Sequence, residues 1–240
     1  MKENIFSLSP QEGTRKKRIA IVGGGASGIG SIVALREEGM NPVCFEARDS
    51  YGGTWNYRHD SEIGYASIMS TTVLNHSKEI GAASNFPPKK EYSNYMRHRD
   101  VFQYITDYYK HHGCEKYIQF NTEVISVKKT EDYDETGRYS VTVKNKVSGK
   151  VFTDVFDGVM VCTGHFNWPK VEKFPGMENF KGTVMHTHSL KTVEKFKGQR
   201  VLVVGAGCSA LDAVEVLSSV AKQVCYWFLR NNSYLKSNIN

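Results

Sequence analysis

Apolar and polar positions near the start of the chain fall into three blocks. Arg18 to Val22 is an apolar run that breaks into glycines at Gly23, Gly24, Gly25 and Gly28. Ile29 to Glu38 has an amphipathic pattern at helical spacing and stops at Gly39, and Pro42 to Phe45 is apolar again and ends on Glu46. This order predicts strand, tight turn, helix and second strand. It returns about 180 residues later. Arg200 to Val204 leads into Gly205-Ala206-Gly207-Cys208-Ser209-Ala210, a helix over Ser209 to Val220 and a strand over Val224 to Leu229, after which Arg230 stands where the first copy has its acid.

Between the two copies the period changes. Val101, Phe102, Tyr104, Ile105, Tyr108 and Tyr109 recur at helical spacing within Arg99 to His112, and Gly113 suits the end of that helix. Those aromatics read as core. From Ile118 to Cys162 the period drops to two, predicting strands over 118–128, 139–145, 151–156 and 158–162, with turns over 132–137 and 146–150. This is a β-meander inserted before the first sheet resumes at Val159-Met160-Val161-Cys162. Gly64 to Pro88, rich in Ser, Thr, Asn and Gly, reads as loop with short helical pieces. A loop of that length inside a compact domain is uncommon and is usually functional or mobile. Met1 to Lys17 is a polar lead-in, and Pro169 and Pro175 mark a domain crossing, which divides the chain into 1–169 and 170–240.

Composition narrows the class. An apolar fraction of 40% with 23% charged residues is ordinary for a globular protein, and no stretch approaches a membrane span. The N-terminus lacks an apolar signal region, so a cytoplasmic chain is expected. The five cysteines, Cys44, Cys114, Cys162, Cys208 and Cys225, are far apart and form no C-x-x-C pair, so they read as reduced, mostly buried thiols. The net charge of +6 is dispersed and no RNA-binding signature accompanies it, so nucleic acid is not an expected partner. His186 and His188 alternate on an expected strand with no carboxylate or thiol nearby, which favours a structural role over a metal site.

The glycine turns carry the chemistry. In a G-x-G-x-x-G turn the first glycine, Gly23, permits the tight turn, the second, Gly25, lets backbone approach a pyrophosphate, and the third, Gly28, lets the helix pack close to the sheet. The free N–H groups of the helix start, at Ala26, Ser27 and Gly28, meet the ligand's charge. Glu46 is placed to hydrogen-bond a ribose hydroxyl. In the second copy Gly205, Gly207 and Ser209 repeat the turn, Ala210 replaces the third glycine, and Arg230 favours the 2′-phosphate of NADPH over NADH. One such motif is weak, whereas two in strand-turn-helix context are strong evidence for two nucleotide sites. The fold class that follows is α/β, with two Rossmann-like dinucleotide-binding domains, the first carrying the meander and the second partial. Gly52-Gly53-Thr54-Trp55, after the acid, reads either as a simple turn or as the place where flavoproteins pass the chain under the rest of the cofactor.

With these motifs the chain, from Arg18 on, resembles the flavin-containing monooxygenases, class B flavoprotein oxygenases. The resemblance rests on Gly23 to Gly28 with Glu46, on Gly53-Thr54-Trp55, on Asn75-His76-Ser77-Lys78-Glu79 as the family's Asn-x-x-Lys-Glu, on Val161 to His165, and on Gly205 to Ala210. Phe180, Gly182 and His186 meet the family identifier, and Leu190 departs from its closing aromatic. The resemblance implies FAD at the first turn, NADPH at the second, and a flavin hydroperoxide that passes oxygen from O2 to a small-molecule amine or sulfide substrate. No catalytic Ser, His or Cys is then required. It also implies that Asn75 lies near the reacting oxygen, as an uncharged amide orienting NADP⁺ and the flavin intermediate. Baeyer–Villiger monooxygenases share both nucleotide motifs; Asn-x-x-Lys-Glu favours the flavin-containing monooxygenase branch. Dithiol reductases need a cysteine pair beside the flavin, and none is present.

Relatives of this family continue beyond the point that corresponds to Asn240. A non-catalytic remnant that binds FAD, and NADPH poorly, is therefore the second functional reading, and any attachment to the endoplasmic reticulum membrane would need a C-terminal segment beyond Asn240. An open parallel sheet with exposed edges also invites pairing with another chain, which makes a homo-oligomer one expected state.

Overall fold

The computed structural model describes residues 15–230 and 233–239, with side chains from 15 to 227. Two compact units result: Met1–Tyr51 with His112–Thr163, and Gly52–His111 with Gly164–Asn240. Compactness thus groups 52–111 with the C-terminal segment.

The first unit is built on a parallel sheet in the order β3-β2-β1-β7. β1 (Arg18–Val22) lies between β2 (Asn41–Phe45) and β7 (Gly158–Val161), with Ile21 opposite Cys44 on one side and Met160 on the other. The middle three residues of β1 are buried because both faces of the sheet are covered. On one face α1 (Ala26–Glu37) buries Ile29, Ile32 and Val33. On the other, the antiparallel meander of β4 (Thr122–Lys129), β5 (Tyr139–Asn145) and β6 (Val151–Phe156) supplies Val141, Val143 and Phe156, which pack against Ala20 and Phe45. Phe156 meets Phe45 edge-on at 5.9 Å. Burying a side chain of that size contributes about 1.5–3 kcal/mol. Arg18 ties the meander to β1: its guanidinium bonds Asp154 at 2.6 Å, and its backbone N–H donates to Asp157 at 2.7 Å.

The strand expected over 118–128 divides. β3 (Ile118–Gln119) extends the parallel sheet beside β2, whereas β4 belongs to the meander. Asn121 makes the break, with a left-handed φ of 52° that carries the chain from one sheet to the other. The turn expected over 132–137 contains one helical turn, α3 (Tyr133–Thr136).

In the second unit β8 (Arg200–Val204) runs parallel to β9 (Gln223–Arg230), which pairs antiparallel with β10 (Ser233–Ile239). α4 (Cys208–Ser218) packs Ala210, Ala213, Val214 and Leu217 against Val203, Val224 and Tyr226. α2 (His98–His111) buries Val101, Tyr104, Ile105 and Tyr109, in line with a core role for two of its four aromatics, whereas Phe102 and Tyr108 are half-buried. No helix forms over 64–88, contrary to the helical pieces expected there. Polar residues give that stretch no apolar face to bury, and side chains from elsewhere hold it: the Tyr104 hydroxyl donates to Phe86 O at 2.7 Å and accepts from Ala83 N–H at 2.8 Å. The strand expected at His186 and His188 is also absent. His186 instead caps a 3-10 turn (Thr187–Ser189), its Nδ1 accepting from the His188 N–H at 3.0 Å. Among the described residues, no helix is long and apolar enough to cross a membrane.

Candidate functional site

The turn after β1 is built by close backbone approach. Gly23 has a φ of +105°, and a Cβ there would lie 2.5 Å from the carbonyl oxygen of Cys162, just beyond β7. A Cβ on Gly28 would lie 1.9 Å from Gly23 O. No side chain fits at either position. Gly23 N–H donates across to Phe45 O at 2.9 Å, and Gly25 enters α1 in an extended conformation with no side-chain cap. The first helical bond runs from Ile29 N–H to Gly25 O at 2.9 Å. The N–H groups of Ala26, Ser27 and Gly28 therefore have no acceptor within the helix, and Ala26 and Ser27 are exposed. The first turn of α1 carries no acid to oppose an incoming anion.

Glu46 is buried at 8% exposure beside this turn. One carboxylate oxygen accepts from Gly24 N–H at 2.6 Å and the other from Arg48 N–H at 2.8 Å. Glu46, expected at a ribose, also clamps the turn; the extra glycine between Gly23 and Gly25, Gly24, is the sequence signal of that contact, since a Cβ there would lie 3.2 Å from Glu46 Cβ. Each oxygen retains a second lone pair for a ligand hydroxyl. Burial, with smaller contributions from Glu46 and Cys162, drives the Cys44 thiol far above its ordinary pKa, so it is an inert thiol. Among the described residues no cysteine forms a disulfide: Cys44 and Cys114 are buried, Cys162 and Cys225 half-buried, and Cys208 exposed.

The remaining sequence-derived residues lie in the second unit. Gly53-Thr54-Trp55 forms a 3-10 turn after Gly52, whose φ is +101° and where a Cβ would lie 2.6 Å from the Phe102 ring of α2. Asn75 is exposed on a short arch held at both ends, by Leu74 N–H to Met96 O at 2.8 Å and Lys78 N–H to Asn94 O at 2.7 Å. At the second turn Gly205 N–H donates to Trp227 O at 3.0 Å, the counterpart of Gly23 to Phe45. Gly207 starts α4 extended, as Gly25 starts α1, and Ser209 is exposed in the first turn. This turn is roomier. A Cβ on Gly205 would find only Ala210 Cβ at 3.5 Å, and one on Gly207 would find nothing within 4 Å. Arg230 ends β9, and its side chain lies outside the described residues.

His188 Nε2 lies 2.7 Å from Tyr65 O, and no group of three or more potential metal ligands occurs among the described residues.

A family model described as "FMO-like: Flavin-binding monooxygenase-like" matches residues 16–239. The chain belongs to this flavin-binding monooxygenase family. Flavin-containing monooxygenase 5 of Rattus norvegicus is 44% identical over 211 residues, covering 87% of this chain and 39% of the relative. Dimethylaniline monooxygenase [N-oxide-forming] 4 of Homo sapiens is 40% identical, covering 87% of this chain and 37% of the relative. The chain thus spans about two fifths of the length of the curated relatives it matches. Among solved structures, the S-allyl-L-cysteine S-oxygenase of Allium sativum superposes with a TM-score of 0.79 at 27% identity, covering 88% of this chain and 51% of that one. The α/β fold with Rossmann-type turns is the fold of this family's solved members.

Proposed function

We propose that this chain is the cofactor-binding part of an FAD- and NADPH-dependent monooxygenase that transfers oxygen from O2 to soft nitrogen or sulfur in small molecules. The carrying observation is the first turn, where side-chain-free backbone at Gly23 and Gly28, the exposed start of α1 and the clamped Glu46 form a cradle for a dinucleotide pyrophosphate. FAD fits there: the N–H groups of Ala26, Ser27 and Gly28 face its phosphates, Gly25 admits close approach, and Glu46 holds a ribose hydroxyl. The family motif assigns Gly53, Thr54 and Trp55 to the same cofactor. NADPH belongs to the second turn, with Gly205, Gly207 and Ser209 at its pyrophosphate and Arg230 at its 2′-phosphate. In these terms residues 1–169 form the flavin-binding part and 170–240 the NADPH-binding part. Bound flavin, reduced by NADPH, supplies the oxygen chemistry; the chain supplies position, exclusion of water and hydrogen bonds. Asn75 is the side chain we assign to the reacting centre, as a neutral amide that both donates and accepts. The names of the N-oxide-forming and S-oxygenase relatives support an amine or sulfide substrate.

The test uses purified protein supplied with FAD, NADPH and, in separate reactions, a thioether, a tertiary amine and a cyclic ketone. The expected result is a yellow protein that forms sulfoxide or N-oxide in proportion to NADPH consumed. Ester from the ketone alone would transfer the assignment to Baeyer–Villiger chemistry. Bound flavin with no oxygenated product would make this chain a binding module, and a colourless protein would overturn the cofactor assignment.

A further inference from the structure

Beside the arch that carries Asn75 lies a buried cation that the nucleotide sites do not use. Lys78 is 7% exposed. Its ammonium donates to three backbone carbonyls, Lys89 O at 3.2 Å, Lys90 O at 2.9 Å and Tyr92 O at 2.5 Å, which uses all three of its hydrogens. Among the described residues no carboxylate pairs with it. A charge held this way has exchanged water for carbonyl dipoles alone, and removing it would leave the Lys90 and Tyr92 oxygens without a donor among the described residues, while Lys89 O would keep the Tyr92 N–H at 3.2 Å.

The carbonyls belong to a stretch with no helix or strand of its own; a turn bond from Tyr92 N–H to Lys89 O and the Lys89–Asp107 ion pair at 2.7 Å fix its start, and the ammonium is what gathers all three carbonyls. The same stretch runs on to the two acceptors that hold the arch, Asn94 O and Met96 O. Lys78 therefore grips the 89–96 stretch twice, through its backbone N–H to Asn94 O and through its side chain to the carbonyls of 89, 90 and 92. Asn75 sits three residues away, exposed, between the anchored backbone of Leu74 and that of Lys78. The neighbouring His76 ring is packed over Gly81, where a Cβ would lie 2.5 Å from it.

We propose that Lys78 is a positioning residue: its carbonyl-caged ammonium locks the 89–96 segment against the 74–78 arch and so holds the Asn75 amide in place. This rests on the reading of Asn75 given above, and two independent measurements keep the two claims apart. The first is amide hydrogen exchange in Lys78→Met and Lys78→Arg. Met keeps the volume and removes the donors, while Arg keeps the charge but presents a planar fork unsuited to three converging acceptors. Exchange over 74–78 and 89–96 should rise by roughly tenfold or more in Lys78→Met and by less in Lys78→Arg. Peptides of β1, α1 and β2 should stay at the parent rate, which also verifies that the variants fold. Exchange in Lys78→Met within about twofold of the parent at 74–78 and 89–96 overturns the proposal.

The second measurement is hydrogen peroxide released per NADPH oxidised by the flavin-loaded protein, for Lys78→Met, Asn75→Ala and the double variant. Action through Asn75 predicts that each single change raises the leak and that the double variant leaks no more than Asn75→Ala. Leaks that multiply in the double variant would make the two residues independent and overturn the positioning role. A parent chain without turnover, or an Asn75→Ala variant with unchanged leak, would count against the assigned function of Asn75; the exchange result would then decide by itself whether Lys78 locks the arch.

Discussion

The Glu46 carboxylate accepts the Gly24 N–H at 2.6 Å, joining the end of β2 to the turn that follows β1 across 22 residues of sequence. The acid expected to read a ribose is therefore also part of the glycine turn's frame. Glu46→Gln keeps the size but replaces one accepting oxygen by an NH2 that must face a backbone donor, either Gly24 N–H or Arg48 N–H. The expected loss is about 1–3 kcal/mol. Flavin fluorescence titration should show this as FAD affinity weakened on the order of tenfold to a hundredfold.

Gly28 and Gly207 separate fold from function. Gly28→Ala places a methyl against Gly23 O and should destabilise the first unit by about 3 kcal/mol or more, read as a lower urea midpoint together with lost flavin. Gly207→Ala meets no neighbour and needs no unusual backbone angle, with φ at −84°. Its urea midpoint should match the parent while NADPH binding weakens, because the new methyl stands where the pyrophosphate approaches. Equal effects from the two substitutions would contradict this distinction.

Arg230→Ser should raise the KM for NADPH by about 10- to 100-fold, as loss of a charge-assisted contact to phosphate implies. The KM for NADH should be little changed. Steady-state oxidation of both nucleotides checks the split, and a parallel loss for both would remove Arg230 from the 2′-phosphate.

His98 sets an acid sensitivity in the second unit. Burial holds its imidazole below the ordinary value near 6.5, outweighing the favourable hydrogen bond to Ser70 O at 3.1 Å. With Nε2 donating to Ser70, Nδ1 is a buried nitrogen with no hydrogen-bond partner among the described residues, and protonation would create a donor with no acceptor among them. A depressed folded pKa means that the unfolded chain takes up the proton first. Stability therefore declines as pH falls through the unfolded value near 6.5, and the loss is complete below the folded pKa. Urea midpoints measured from pH 7.5 down to 5 should fall, and His98→Gln should flatten that slope.

How much could be read in advance depended on where each element's stabilisation comes from. β1, α1, β2 and their counterparts β8, α4 and β9 advertise themselves because apolar runs and helical spacing lie in the local sequence. The meander was legible for the same reason, except at Asn121, where a single left-handed residue divides one expected strand between two sheets. The 56–97 stretch was opaque beyond being irregular, because its order comes from remote carbonyls and side chains, as at Lys78 and Tyr104. His186 and His188 showed strand-like alternation, yet the imidazole of one caps the N–H of the other and closes a turn instead. The glycine turn was legible as a motif, but the clamp by Glu46 and the approach of Cys162 are tertiary facts that glycine spacing alone does not encode.

The approach of Cys162 also bears on the order of assembly. Cys162 N–H donates to Val22 O at 2.9 Å, and its own carbonyl closes on Gly23. The wall of the turn is thus supplied by a residue that leaves the ribosome long after β1, α1 and β2. Contacts of such sequence separation form late, because loop closure must precede them. During synthesis the early strand-turn-helix unit waits with an incomplete cradle and one bare strand edge until the whole meander has emerged. On the FAD assignment proposed above, the cradle would be complete only once β7 has docked.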